Sequence, residues 1–130
     1  MLKLKSVKTD LKAEREGDWV DYPEWPGVRF KVKSLQCPEF VEARGRLMRK
    51  LAKKYKGDPI PLDETTKELG TLVANIILLG WDGLDEPYTP ERASEVLTDP
   101  SYRKVADAVQ FCANIVGDND EEFVEAAAKN

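Results

Sequence analysis

The chain contains no histidine. That removes the commonest general base and the commonest metal ligand together, so no Ser/His/Asp or Cys/His catalytic set can be assembled. Cysteine is scarce. Cys37 and Cys112 are far apart and lack CxxC spacing, so they read as buried free thiols of a reducing cytosol, neither a metal site nor a disulfide framework. The eight glycines are scattered, and none of them forms a phosphate-cradling loop. Long hydrophobic runs are missing as well. The longest, residues 73–79, is interrupted by Asn75 and is far too short to span a bilayer, and the N-terminal MLKLKSVKTD lacks the apolar core of a signal peptide. The expectation is a protein with no catalytic residues, no cofactor, no bound metal and no membrane association.

What remains is an ordinary globular balance, with 42% hydrophobic and 34% charged residues over 130 positions, enough for one domain with its own core. The net charge of −4 is unevenly spread. Residues 1–56 hold 15 Lys/Arg against 8 Asp/Glu, whereas residues 57–130 hold 5 against 16. Such a split can draw copies together head to tail, or it can neutralise itself inside one fold.

Along the chain, residues 1–17 are polar and weakly alternating, an edge strand or a loose segment. Asp18-Trp19-Val20-Asp21-Tyr22 reads as a strand. Pro23-Glu24-Trp25-Pro26-Gly27 reads as a turn, and residues 28–33 alternate Val28, Phe30 and Val32 with Arg29, Lys31 and Lys33. Together they predict a β-hairpin over 18–33 with one buried face. Helices follow over about 38–56, 63–79, 90–97 and 100–116. Pro38 marks the first start, Thr65 and Glu68 have capping-box spacing in the second, and Thr89-Pro90 and Asp99-Pro100 open the last two. Leu69, Leu72, Val73, Ile76, Ile77 and Leu79 make the widest apolar stripe, which points to the 63–79 helix as the centre of the core. Residues 118–130 form an acidic tail or a short helix, in which Phe123, Val124 and Ala127 could give a short apolar face. The fold expected is mainly α, of the α+β class, with four to five helices packed on one N-terminal β-hairpin. Residues 18–117 form its single globular domain.

The basic cluster from Arg44 to Lys56 fits a nucleic-acid patch or a solvated protein-binding face. The acidic whole and the lack of interleaved aromatics favour the second, so no nucleic-acid partner is expected. Asp82, Asp85 and Glu86 resemble part of a calcium loop, but the twelfth residue from Asp82 is Ala93, not a closing glutamate. Trp25, between prolines at the hairpin tip, is a candidate anchor for a partner. Trp81, beside the apolar helix, is a candidate core residue.

Leu78-Leu79-Gly80-Trp81-Asp82-Gly83-Leu84, then Pro87-Tyr88-Thr89-Pro90-Glu91, then Leu97 and Asp99-Pro100, resemble the central signature of the tail assembly chaperones of long-tailed (siphovirus) bacteriophages. The order of elements is similar over roughly residues 18–117, and the specific part covers residues 78–100. The resemblance implies a chaperone active in the host cytoplasm and absent from the mature virion. Such a protein binds and solubilises the tape measure protein, helps recruit the tail tube protein, and self-associates as a ring or spiral. It also implies a longer product made by −1 ribosomal frameshifting, and Ala128-Lys129-Asn130 can be encoded with the slippery run A AAA AAC. Trp25, Arg49, Lys53, Leu84, Tyr88, Phe123 and Val124 are the residues expected to meet partners. The alternatives are a structural phage component, such as a minor tail or head–tail connector protein, and a small nucleic-acid-binding regulator.

Overall fold

The computed structural model describes residues 1–118. A single 3₁₀ turn, Leu4–Val7, and a short helix α1, Leu11–Glu16, come first. The opening segment is therefore helical, not an edge strand. Asp10 decides this locally, because its carboxylate accepts from the Lys12 and Ala13 N–H groups and caps α1.

Strands β1 (Asp18–Asp21) and β2 (Arg29–Val32) form the hairpin, antiparallel with Val20 opposite Phe30. The turn closes through Tyr22 N–H to Val28 O at 3.0 Å and Val28 N–H to Trp25 O at 3.0 Å. A third strand, β3 (Leu78–Asp82), pairs with the other edge of β2 and gives an antiparallel sheet in the order β1-β2-β3. This corrects the helix expected over 63–79. Helix α3 runs only Leu62–Leu72, continues as one wide turn, Val73–Ile77, and then extends. The physical reason is the edge of β2. Its backbone groups need partners, and Trp81 and Leu78 bury best opposite Phe30 and Val32. Gly80 sits inside β3, where the Trp19 ring packs over it. Thr65 also departs from expectation. It lies within α3, its hydroxyl donates to Pro61 O, and the helix has no side-chain cap.

Helix α2 (Pro38–Tyr55) buries Phe40, Ala43, Leu47 and Leu51. Helix α4 (Pro90–Thr98) is capped by Thr89, whose hydroxyl accepts from Arg92 N–H at 3.0 Å. Asp99 caps the 3₁₀ turn Pro100–Tyr102 that leads into α5 (Arg103–Ile115). The core lies between the inner face of the sheet and the helices, with Phe30, Val32, Ile77, Leu78, Val109 and Cys112 fully enclosed. The described residues thus form five helices with a three-stranded antiparallel sheet, of the α+β class.

Candidate functional site

Helix α3 is amphipathic, yet it buries none of its residues. It packs on α4 through Gly70, where any side chain would overlap the Leu97 carbonyl. It packs on α2 at its start, where Lys54 pairs with Glu64 at 2.6 Å and the Tyr55 hydroxyl donates to the same carboxylate. These two attachments leave the third side of α3 standing apart from α5. The space between is a groove of about 630 Å³, also lined by Leu35 and by Phe40 and Arg44 of α2.

The walls have regular spacing. Leu62, Thr66, Leu69 and Val73 line one side, and Arg103, Ala106, Gln110 and Ala113 line the other. Both rows advance by three and four residues, the spacing at which a helix presents one stripe to a neighbouring helix. The groove therefore presents a row of side chains from each of two facing helices. Asp63, Asp99 and Asp107 also line it, as do Arg44 and Arg103. Hydrogen bonds from the Ser101 backbone N–H and hydroxyl hold the Asp99 carboxyl below its usual range.

The residues singled out in the sequence fall elsewhere. Trp25 is half-buried and meets Tyr22 edge-on at 5.0 Å, and Tyr22 in turn meets Phe111 of α5 at 5.6 Å. Tyr88 is a support for β3. Its hydroxyl donates to Leu78 O at 3.2 Å, and its ring stands edge-on to Trp81 at 5.2 Å. Burial raises the Tyr88 pKa above the ordinary phenol value, with the charge of Glu91 adding to it. The Trp81 indole N–H donates to Glu86 O at 2.8 Å, and Leu84 packs half-buried against the core, so the 83–88 loop is fastened to the sheet. Arg49 and Lys53 are exposed on α2, on the side opposite its buried residues, and neither forms an ion pair among the described residues. Phe123 and Val124 lie outside the described residues. None of the described five lines the groove. The groove's own signal was present as the 69–73 stripe, which the sequence alone presents as core.

Among the described residues no three carboxylate or thiol groups converge on a point that could hold a metal ion. Among them, too, no helix is long and apolar enough to cross a membrane. Among the described residues Arg92 is the most heavily engaged charge. It donates to Glu86 at 3.2 Å, Glu95 at 3.1 Å and the Tyr102 hydroxyl at 3.2 Å, tying the loop, α4 and the 100–102 turn together. These are structural contacts.

No curated protein and no solved structure matches the chain. A family model described as YdaY prophage protein matches residues 35–130, a span that takes in α2 to α5 and every residue that lines the groove. The chain therefore belongs to the YdaY family of prophage proteins.

Proposed function

We propose that this prophage protein is a non-catalytic tail assembly chaperone, which shelters an amphipathic helical segment of the tape measure protein in the groove between α3 and α5. The observation that carries the reading is the open apolar side of α3. A helix whose stripe is only half covered by its own fold offers the remainder to another chain. A long helical client with exposed apolar stripes aggregates unless they are masked, and masking needs neither nucleotide nor catalytic group. The signature-like stretch 78–100 and the prophage family support the same reading. Recruitment of the tail tube protein, self-association, action in the host cytoplasm, absence from the finished virion and a frameshifted longer product belong to this proposal.

The test is co-expression with the tape measure protein of the same prophage. The tape measure protein should be soluble and co-purify with the parent chain. Thr66→Arg/Gln110→Arg, which places a long cation on each wall at half-exposed or exposed positions, should reduce its capture at least roughly tenfold with the fold intact. A tape measure protein that stays insoluble beside the parent chain overturns the proposal. So does capture that ignores the groove variant. Detection of the chain in purified particles would move the assignment to a structural tail component.

A further inference from the structure

Helix α2 carries a stripe of one charge. Arg46, Arg49, Lys50 and Lys53 follow the spacing that sets side chains on one helix face, away from the buried Leu47 and Leu51, and all four are exposed. Like charges therefore stand one turn apart along the stripe, an arrangement that weakens a helix unless an anion lies over it. Among the described residues none of the four forms an ion pair. Residues 44–56 as a whole hold seven Lys/Arg and no acid. The densest run of the opposite charge is residues 118–125, where Asp118, Asp120, Glu121, Glu122 and Glu125 occur with no Lys/Arg among them. Residues 119–125 lie outside the described residues, but their point of departure does not. Asp10 N–H donates to Gly117 O at 2.6 Å and Thr9 bridges Asp118, which ties the end of α5 to the start of α1. Glu14 O of α1 accepts from Ser34 N–H at 3.0 Å, and Ser34 O accepts from the N–H of Cys37, the N-cap residue of α2. Asp118 is thus held near the beginning of α2.

We propose that the acidic segment 118–125 lies over the Arg46-Arg49-Lys50-Lys53 stripe of its own chain and closes that stripe to nucleic acid. Opposite charge selects the stripe, because residues 44–56 gather more cations without partners than any other stretch of the described residues. Reach and tethering select the same chain. Glu125, seven residues beyond Asp118, can extend to about 25 Å from it. Arg46 and Lys53 lie about 12 Å and 23 Å along α2 from Pro38, so reach and stripe are of comparable length. A tether this short holds the acids at an effective concentration on the order of millimolar, so several weak exposed pairs suffice, and a second copy must compete from its far lower bulk concentration. An uncovered stripe of this kind attracts nucleic acid whatever its sequence. The inference stands apart from the α3–α5 groove and from the chaperone reading.

Zero-length carbodiimide cross-linking of the full chain, mapped by mass spectrometry on a mixture of unlabelled and isotope-labelled copies, tests the contact. At low salt Lys50 and Lys53 should form amide bonds to the acids of residues 120–125 within one chain, and the yield should fall at least roughly fivefold in about 0.5 M salt. Arg46→Glu/Arg49→Glu leaves both lysines in place and should lower the yield by roughly the same factor. Both arginines are exposed, so this variant should keep the parent's circular dichroism. Charge exchange supplies the rescue. Lys50→Glu/Lys53→Glu combined with Glu121→Lys/Glu122→Lys should restore cross-links between the same positions.

The closure is read with a DNA duplex of about 20 base pairs in about 50 mM salt. Glu121→Gln/Glu122→Gln/Glu125→Gln should bind the duplex at least roughly tenfold more tightly than the parent, and adding Arg46→Gln/Arg49→Gln should cancel the gain. Cross-links that spread equally over Lys3, Lys5, Lys8 and Lys67 overturn the inference, as do cross-links that join different copies. A gain in DNA binding that survives the loss of Arg46 and Arg49, or the absence of any gain, overturns it as well.

Discussion

Cys112 shows how one enclosed residue sets a pH limit. Its thiol lies between α5 and β1, 3.8 Å from Val20 O, and it has no exposed surface. Burial first, and the nearby Asp21 charge second, push its pKa up to about 11 from an ordinary 9.0. The folded state thus favours the neutral thiol. That preference contributes stability in full below pH 9 and loses it as the pH rises through 11. Denaturant midpoints should fall over this interval in the parent and fall less in Cys112→Ala, and native Cys112 should resist alkylation at pH 8. Gly70 carries the tightest constraint on the groove. A methyl group there overlaps the Leu97 carbonyl, so Gly70→Ala should destabilise the fold by about 1–3 kcal/mol, read from a denaturant melt. Tyr88→Phe removes one partly buried hydrogen bond and should cost about 1 kcal/mol. If Tyr88 only supports β3, as its contacts suggest, client capture is unchanged, and a selective loss of capture would restore it as a partner residue.

At the scale of elements, the informative departure is the passage from α3 into β3. Residues 69–79 carry an apolar stripe that suits a helix, and local spacing extends the helix through Leu79. The chain instead leaves the helix after one wide turn, because strand pairing with β2 is a partner 45 residues and more away in sequence and invisible to local pattern. Leu78 and Trp81 look the same in either state. Only the edge of the hairpin makes the extended state the better one. Elements whose ends are fixed by capping chemistry read more reliably. Thr89-Pro90 and Asp99-Pro100 start their elements where the side-chain hydrogen bonds place them. Thr89→Ala should therefore lower stability by about 1 kcal/mol in a thermal or denaturant melt, through loss of the bond to Arg92 N–H.

At the scale of the whole molecule, the opposed charges of the two chain halves are only partly settled inside the fold. Arg29–Asp82 and Lys54–Glu64 are the ion pairs among the described residues that join the basic first part to the acidic second part. Arg46, Arg49, Lys50 and Lys53 face outward on α2 instead. Arg49→Glu/Lys53→Glu should accordingly change unfolding free energy by no more than about 0.5 kcal/mol, because exposed charges without partners contribute little to the fold. A larger loss would mean that these side chains have a role inside the fold.

The sequence by itself determined the fold class. Hairpin alternation and helix-start residues point to a mainly helical α+β fold, since each of those signals acts over a few neighbouring residues. It could not separate a core stripe from a docking stripe, because the two have the same composition and the same period. The tertiary structure decided how far the stripe is covered. Gly70 brings α3 against α4, β3 draws the chain away to the sheet, and α5 lies across the sheet's inner face, so the side of α3 that the sequence marks for burial is left lining an open groove.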